Sequence, residues 1–226
     1  MMIKNYLFIF ACLFPAITYS SDFHWDRDGT VCSGKEQIVL NIDAIGDGIE
    51  YNNALFLVGA IGKPHKSEIY YAMSVSHDLR HTQYWEFDAR LQQVFVYLDS
   101  LYILNDDGKL FQWSDSKWLI SELKLKPQSH VVFSKDDLVA CYPSNITKAD
   151  AHIGGCYSIE KNWHTLLDWS VAPQVCGEQL VSFDYPEKKQ VFKKINLSTG
   201  DVISSKPIVP FLQFDDIPDD LCSSEF

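Results

Sequence analysis

The 226 residues allow one large domain or two small ones, and 46% hydrophobic with 22% charged residues is the composition of a globular chain with a proper core. Lys+Arg 19 against Asp+Glu 30 leaves a formal charge of −11, which argues against nucleic acid and against an anionic membrane surface as partners, because phosphates need a Lys/Arg surface.

In chain order, Lys4 precedes an almost unbroken apolar run from Tyr6 to Ile17 and a small-polar exit at Thr18-Tyr19-Ser20. That is the layout of a secretory signal peptide cleaved near Ser20 or Ser21, and the run is too short to span a bilayer. The expected organisation is a leader over residues 1–20 and a single exported domain over 21–226, periplasmic or extracellular, with no membrane span after cleavage. Cys12 reads as part of the leader, because the bulky Ile9-Phe10-Ala11 before it does not suit lipid attachment.

Five cysteines then remain, an odd number in a compartment where disulfides persist. Cys141 and Cys156 each precede a Tyr, as mirrored positions on a hairpin would, and are expected to bridge. Cys32 and Cys222 lie near the two mature ends and form the second expected bridge. Cys176 is left over as a buried small hydrophobe.

Asp43 and Asp47 with Gly46 and Gly48 make a short acidic glycine turn, either a plain turn or a set of oxygens for calcium. Short β-rich runs follow. One series begins at Ala54-Leu55-Phe56-Leu57-Val58 and passes through Ile69 to Ala72 and Tyr84 to Phe87. The clearest runs from Leu101 to Leu104, turns at Asn105-Asp106-Asp107-Gly108, continues over Leu110 to Trp113, turns at Ser114-Asp115-Ser116 and ends in Trp118-Leu119-Ile120. Asp-Gly between β-rich runs marks a hairpin, so two hairpins make a three-stranded meander. The order restarts at Leu138 and again at Leu180. Leu91, Val94, Phe95, Leu98, Leu101 and Tyr102 also fit helical spacing, so a helix with Asp88 as N-cap competes there.

The starts at Leu55, Leu101, Leu138 and Leu180 are 46, 37 and 42 residues apart. A period of about 40 residues built from three or four strands is the sign of a β-propeller blade. The expected fold is all-β, a small β-propeller-like repeat of about five blades, with a β-sandwich as the alternative. The fifth blade would combine Gln37-Ile38-Val39-Leu40 with Val202-Ile203 or Ile208-Val209 and so remove two sheet edges.

Ser76-His77-Asp78, with Thr82 four residues on, resembles the Asp-box turn of sialidase-type propellers, with Arg80 in place of its Gly and Gln83 in place of its Trp. Ser114-Asp115-Ser116-Lys117-Trp118 and Ser158-Ile159-Glu160-Lys161-Asn162-Trp163 resemble shortened forms of it. The resemblance implies a structural turn and therefore architecture, not activity.

No catalytic residue is assigned and no cofactor is expected. The only arginines are Arg27, Arg80 and Arg90, with no Arg-Ile-Pro segment, and no Gly-x-Ser-x-Gly elbow occurs. His77 and His81 are the candidate zinc ligands, weighed against an exposed polar loop. Trp85, Trp118 and Trp163 recur after the same turn and are assigned to the repeat core, whereas Trp25 and Trp113 break that register and are candidate binding residues. Asp215, Asp216, Asp219 and Asp220 form an acidic run that would receive a basic partner. Asn145 and Asn196 head N-x-Ser/Thr sequons, relevant only in a eukaryotic host. The function these features imply is recognition of a protein partner, as an inhibitor or immunity protein against a secreted toxin or enzyme. A carbohydrate-binding protein or glycan hydrolase is the alternative.

Overall fold

The computed structural model describes residues 23–62, 68–134, 137–143, 154–167, 171–184, 190–208 and 221–222. The leader over 1–20, Cys12, Asn145, Val209 and the acidic run Asp215, Asp216, Asp219 and Asp220 lie outside them. All regular structure among the described residues is β-strand, and no helix there is long and apolar enough to cross a membrane.

The chain forms two compact units that meet in sequence at Val96 and Tyr97. In the first, β1 (Phe23–Trp25), β2 (Thr30–Ser33) and β3 (Glu36–Val39) make a three-stranded sheet, and β4 (Ala44–Tyr51), β5 (Ala54–Ile61), β6 (Ile69–Ser76) and β7 (Thr82–Phe87) a four-stranded one. The division falls at the end of β8 (Leu91–Tyr97), which continues into β9 (Ser100–Asn105), β10 (Lys109–Ser114) and β11 (Lys117–Lys124). Two further four-stranded sheets follow: β12 (His130–Ser134), β13 (Asp137–Tyr142), β14 (Gly154–Ser158) and β15 (His164–Leu167), then β16 (Val171–Cys176), β17 (Gln179–Asp184), β18 (Val191–Asn196) and β19 (Val202–Pro207). Each sheet keeps its strands in chain order, the meander of a blade rather than the Greek key of a sandwich. The fold is all-β and β-propeller-like, with five blade-like sheets.

Leu55, Leu101, Leu138 and Leu180 are each the second residue of the second strand of their sheet, and each is at most 1% exposed. The turn before that strand sets the register. Asn52 and Asn53 (φ 50° and 61°) and Leu98 and Asp99 (47° and 58°) are two-residue turns with both φ positive, the hairpin type whose twist matches the strands. The Leu98-Asp99 turn replaces the competing helix: the apolar spacing from Leu91 to Tyr102 arises from two strands buried on both faces. Second strands read as continuous apolar runs for the same reason, whereas the fourth strands β7, β11 and β19 are largely wet.

The first sheet repeats the third. Asp26 Oδ1 accepts the Thr30 N–H (2.9 Å), and Asn105 Oδ1 accepts the Lys109 N–H (2.8 Å). Gly29 and Gly108 both have positive φ, and their carbonyls accept Leu40 N–H and Leu125 N–H, each at 2.9 Å. A Cβ on Gly108 would lie 2.3 Å from the Leu125 carbonyl oxygen, so only glycine fits. This alignment makes β1, β2 and β3 the counterparts of β9, β10 and β11. It also corrects the expected closure. Gln37-Ile38-Val39 belongs to β3, Val202-Ile203 to β19 of the last sheet, and the Ile208 N–H donates to Gln190 O.

The Cys141–Cys156 bridge forms as expected, across directly paired residues of β13 and β14. The Cys32–Cys222 expectation is overturned: Cys222 bridges Cys176, at the end of β16. Proximity comes from Leu221, which is buried with Val181 and Phe192 and whose N–H donates to Gln174 Oε1 at 2.7 Å. Cys176 is therefore not the odd thiol. Cys32 is disulfide-bonded too, and no cysteine among the described residues is free.

Candidate functional site

In the second unit, four polar and aromatic side chains converge beside β13, β14 and β15. Lys126, just after β11, is held through its backbone: its N–H donates to Tyr157 Oη at 3.1 Å, and its carbonyl accepts Ser129 Oγ at 2.7 Å. Its exposed ammonium lies 4.2 Å from the centre of the Tyr142 ring and donates to Tyr142 Oη at 3.0 Å. Tyr142 Oη is in turn 2.8 Å from His164 Nε2. An ammonium has only donors, so the Tyr142 oxygen accepts from it and the hydroxyl hydrogen is left for a neutral imidazole. The rings of Tyr142, Tyr157 and His164 stand 6.0 to 6.1 Å apart, centre to centre.

Tyr142 crosses to His164 because Gly155 lies between them. Gly155 is paired with Tyr142, and a Cβ there would be 3.1 Å from both Tyr142 Oη and His164 Nε2 and 2.6 Å from the Thr165 carbonyl oxygen. Above this floor is a cleft of about 220 Å³ lined by Lys126, Tyr157, Ser158, Asn162, Trp163 and His164. Tyr142 is only 6% exposed, so it orients Lys126 and His164 rather than meeting a ligand itself. The groups offered to the cleft are an ammonium, an amide and an imidazole, a set suited to holding a polar or anionic group.

Desolvation, and then the Lys126 charge, hold His164 below the usual imidazole range, while burial pushes Tyr157 up. A depressed histidine contributes stability that is present above the ordinary value of about 6.5 and lost as pH falls through the lowered one. The His164 ring should therefore titrate below about 6.5 by NMR, and Lys126→Met should move the midpoint up. An unmoved midpoint would place the ammonium elsewhere.

The residues singled out from sequence fall in separate places. Ser76, His77 and Asp78 form the β6–β7 turn that the Asp-box resemblance implies: Ser76 Oγ donates to Asp78 Oδ1 at 2.6 Å and accepts the His81 N–H at 3.0 Å. The Ser76 hydrogen bond, then the Arg80 N–H, holds Asp78 below the usual carboxylate range. The Ser158 and Asn196 turns repeat its backbone bond, from each N–H to the carbonyl five residues on. Ser114 departs from it, because Asp115 and Ser116 make a two-residue turn.

His77 stands edge-on to Phe23 at 5.5 Å. Among the described residues no three His, Cys, Asp or Glu side chains gather to hold a metal. Asp43 Oδ2 accepts the Gly62 N–H (2.7 Å) just before β4, and Asp47 Oδ2 accepts the Val94 N–H (3.0 Å) from within the bulged β4. Trp25 is 38% exposed and packs on Gly48. Trp163 is core, but Trp85 and Trp118 are half-buried. Trp113 and Trp118, assigned to different roles from sequence, are directly paired across β10 and β11 with ring centres 4.9 Å apart.

Sequence reasoning marked Tyr142 and Tyr157 only as hairpin partners and passed over Lys126 and His164. The available signal was Gly155 opposite Tyr142, a bare position beside a large polar one.

No family model matches the chain, and no curated protein matches it. Among solved structures it is similar to BamB from Moraxella catarrhalis (TM-score 0.54, 10% identity, covering 81% of this chain and 60% of that one) and to Kluyveromyces lactis Hsv2 (TM-score 0.51, 10% identity, 81% and 61%). The chain thus spans under two thirds of the length of either, and what the two likenesses carry is the fold.

Proposed function

We propose that this chain is an exported, non-enzymatic recognition protein that captures a protein partner, as an inhibitor or immunity protein against a secreted toxin or enzyme. The observation that carries the reading is the outer strand β11, where Leu119 and Ile120 are 44% and 70% exposed next to the Trp113–Trp118 pair. Apolar side chains on an edge strand cost solubility unless something covers them, and an aromatic pair beside them loses little rotamer entropy on docking. The formal charge of −11 favours a basic partner and fast, salt-sensitive capture. The disulfides fit an oxidising compartment.

The test is capture with the full chain as bait in an extract of its own compartment, followed by titration calorimetry with the purified partner. A saturable complex is expected, weakened about 100-fold by Leu119→Asp with Ile120→Asp and about tenfold or more by Trp113→Ala. Saturable binding on a glycan array that Trp113→Ala abolishes, with no protein complex, would replace this reading by the carbohydrate-directed one.

A further inference from the structure

We infer that the cleft beside Lys126 is an anchor for a single carboxylate of the partner, from an Asp or Glu side chain or a chain terminus. The inference rests on the partner-recognition reading above and names the chemistry of one contact within it. Lys109, Lys161 and Lys193 each have a carboxylate within ion-pair distance, whereas Lys126 forms no ion pair among the described residues. Long exposed lysines usually sample many rotamers, at an entropic cost to any ligand that orders them. Lys126 is already ordered: both its backbone polar groups are engaged, and its ammonium is fixed on the hydroxyl and over the ring of Tyr142. One of the ammonium's three protons is used there, which leaves two for a ligand.

The surroundings select the ligand. The exposed Asn162 and His164 line the same cleft, and about 220 Å³ admits one side chain rather than a folded element. One fixed positive charge among neutral groups balances a monoanion, whereas a phosphate dianion is ordinarily met by several cations or by the fork of an arginine. On a chain of formal charge −11, a lone positioned cation adds little to long-range attraction. Its use is register: overall positive charge brings a basic partner in, and one reversed pair fixes how it sits.

The experiment titrates the full-length, isotope-labelled chain with N-acetyl-glutamate α-amide, its glutamine counterpart and inorganic phosphate, following the Lys126 ε-methylene and His164 ring signals. The glutamate probe should give saturable shifts, and the glutamine probe none. Lys126→Met should weaken the glutamate response at least tenfold without disturbing the remaining spectrum, and Lys117→Met on β11 should leave it unchanged. An equal response in Lys126→Met, an equal response to the glutamine probe, or tighter binding of phosphate would overturn the carboxylate anchor. A captured partner that binds Lys126→Met as tightly as the natural chain would also overturn it while leaving partner recognition intact. Specific glutamate binding with no partner captured would uphold the anchor and remove the partner reading.

Discussion

Replacing Lys193 by methionine is expected to cost about 3–5 kcal/mol of folding free energy, the range for breaking a buried ion pair by removing one member. Asp184 pairs with Val191 and Lys193 with Ser182 across β17 and β18, which makes Asp184 and Lys193 diagonal neighbours on one sheet face. Lys193 Nζ lies 2.6 Å from Asp184 Oδ2, and the Asp184 side chain is 0% exposed. Methionine keeps the stem and deletes the charge, so the buried Asp184 carboxylate loses the Lys193 ammonium. Removing both charges, as Lys193→Met with Asp184→Leu, should recover most of the loss. Urea denaturation reads both, and a single replacement costing less than about 1 kcal/mol would show that water reaches the pair. Lys194, one residue on and paired with Val181 on the opposite face, is the matched control.

The second large effect lies at the chain's end. The Cys176–Cys222 bridge closes a separation of 46 residues, and in the loop-entropy account its removal costs roughly 4 kcal/mol. Cys176→Ser with Cys222→Ser removes it without leaving a single thiol. The loss should be accompanied by earlier proteolysis near Leu221, because that side chain sits against Val181 and Phe192 and is otherwise tethered by its N–H bond to Gln174. A change under about 1 kcal/mol would mean that Leu221 docking alone holds the segment. The shorter separation of 15 residues at Cys141–Cys156 predicts a smaller loss of about 3 kcal/mol by the same account.

Much of the repeat was legible from local chemistry. Asn105 through Gly108 announce a turn because a side-chain acceptor at one end and a positive φ at the other are properties of those residues alone. Cys141 and Cys156 were readable as a pair because their hairpin places them opposite each other. Asp26 through Gly29 carry the same signals as Asn105 through Gly108, but the expected pairing of Gln37-Ile38-Val39-Leu40 with a distant C-terminal strand passes over them.

The chain's letters alone determined the period, the buried places of Leu55, Leu101, Leu138 and Leu180 and the turns at Asn105 to Gly108 and Asp115-Ser116, since these depend on residues within a few positions of one another. Tertiary structure decided that Cys222 meets Cys176, that Trp113 faces Trp118, and that Lys126, Tyr142 and His164 share one hydrogen-bonded line. The disulfide and that line join positions far apart in sequence, and the tryptophan pair depends on the register of its hairpin. The disulfide rests on how Leu221 docks, the tryptophan pair on strand register and the hydrogen-bonded line on the missing side chain of Gly155, all of which exist only once the strands are paired and packed.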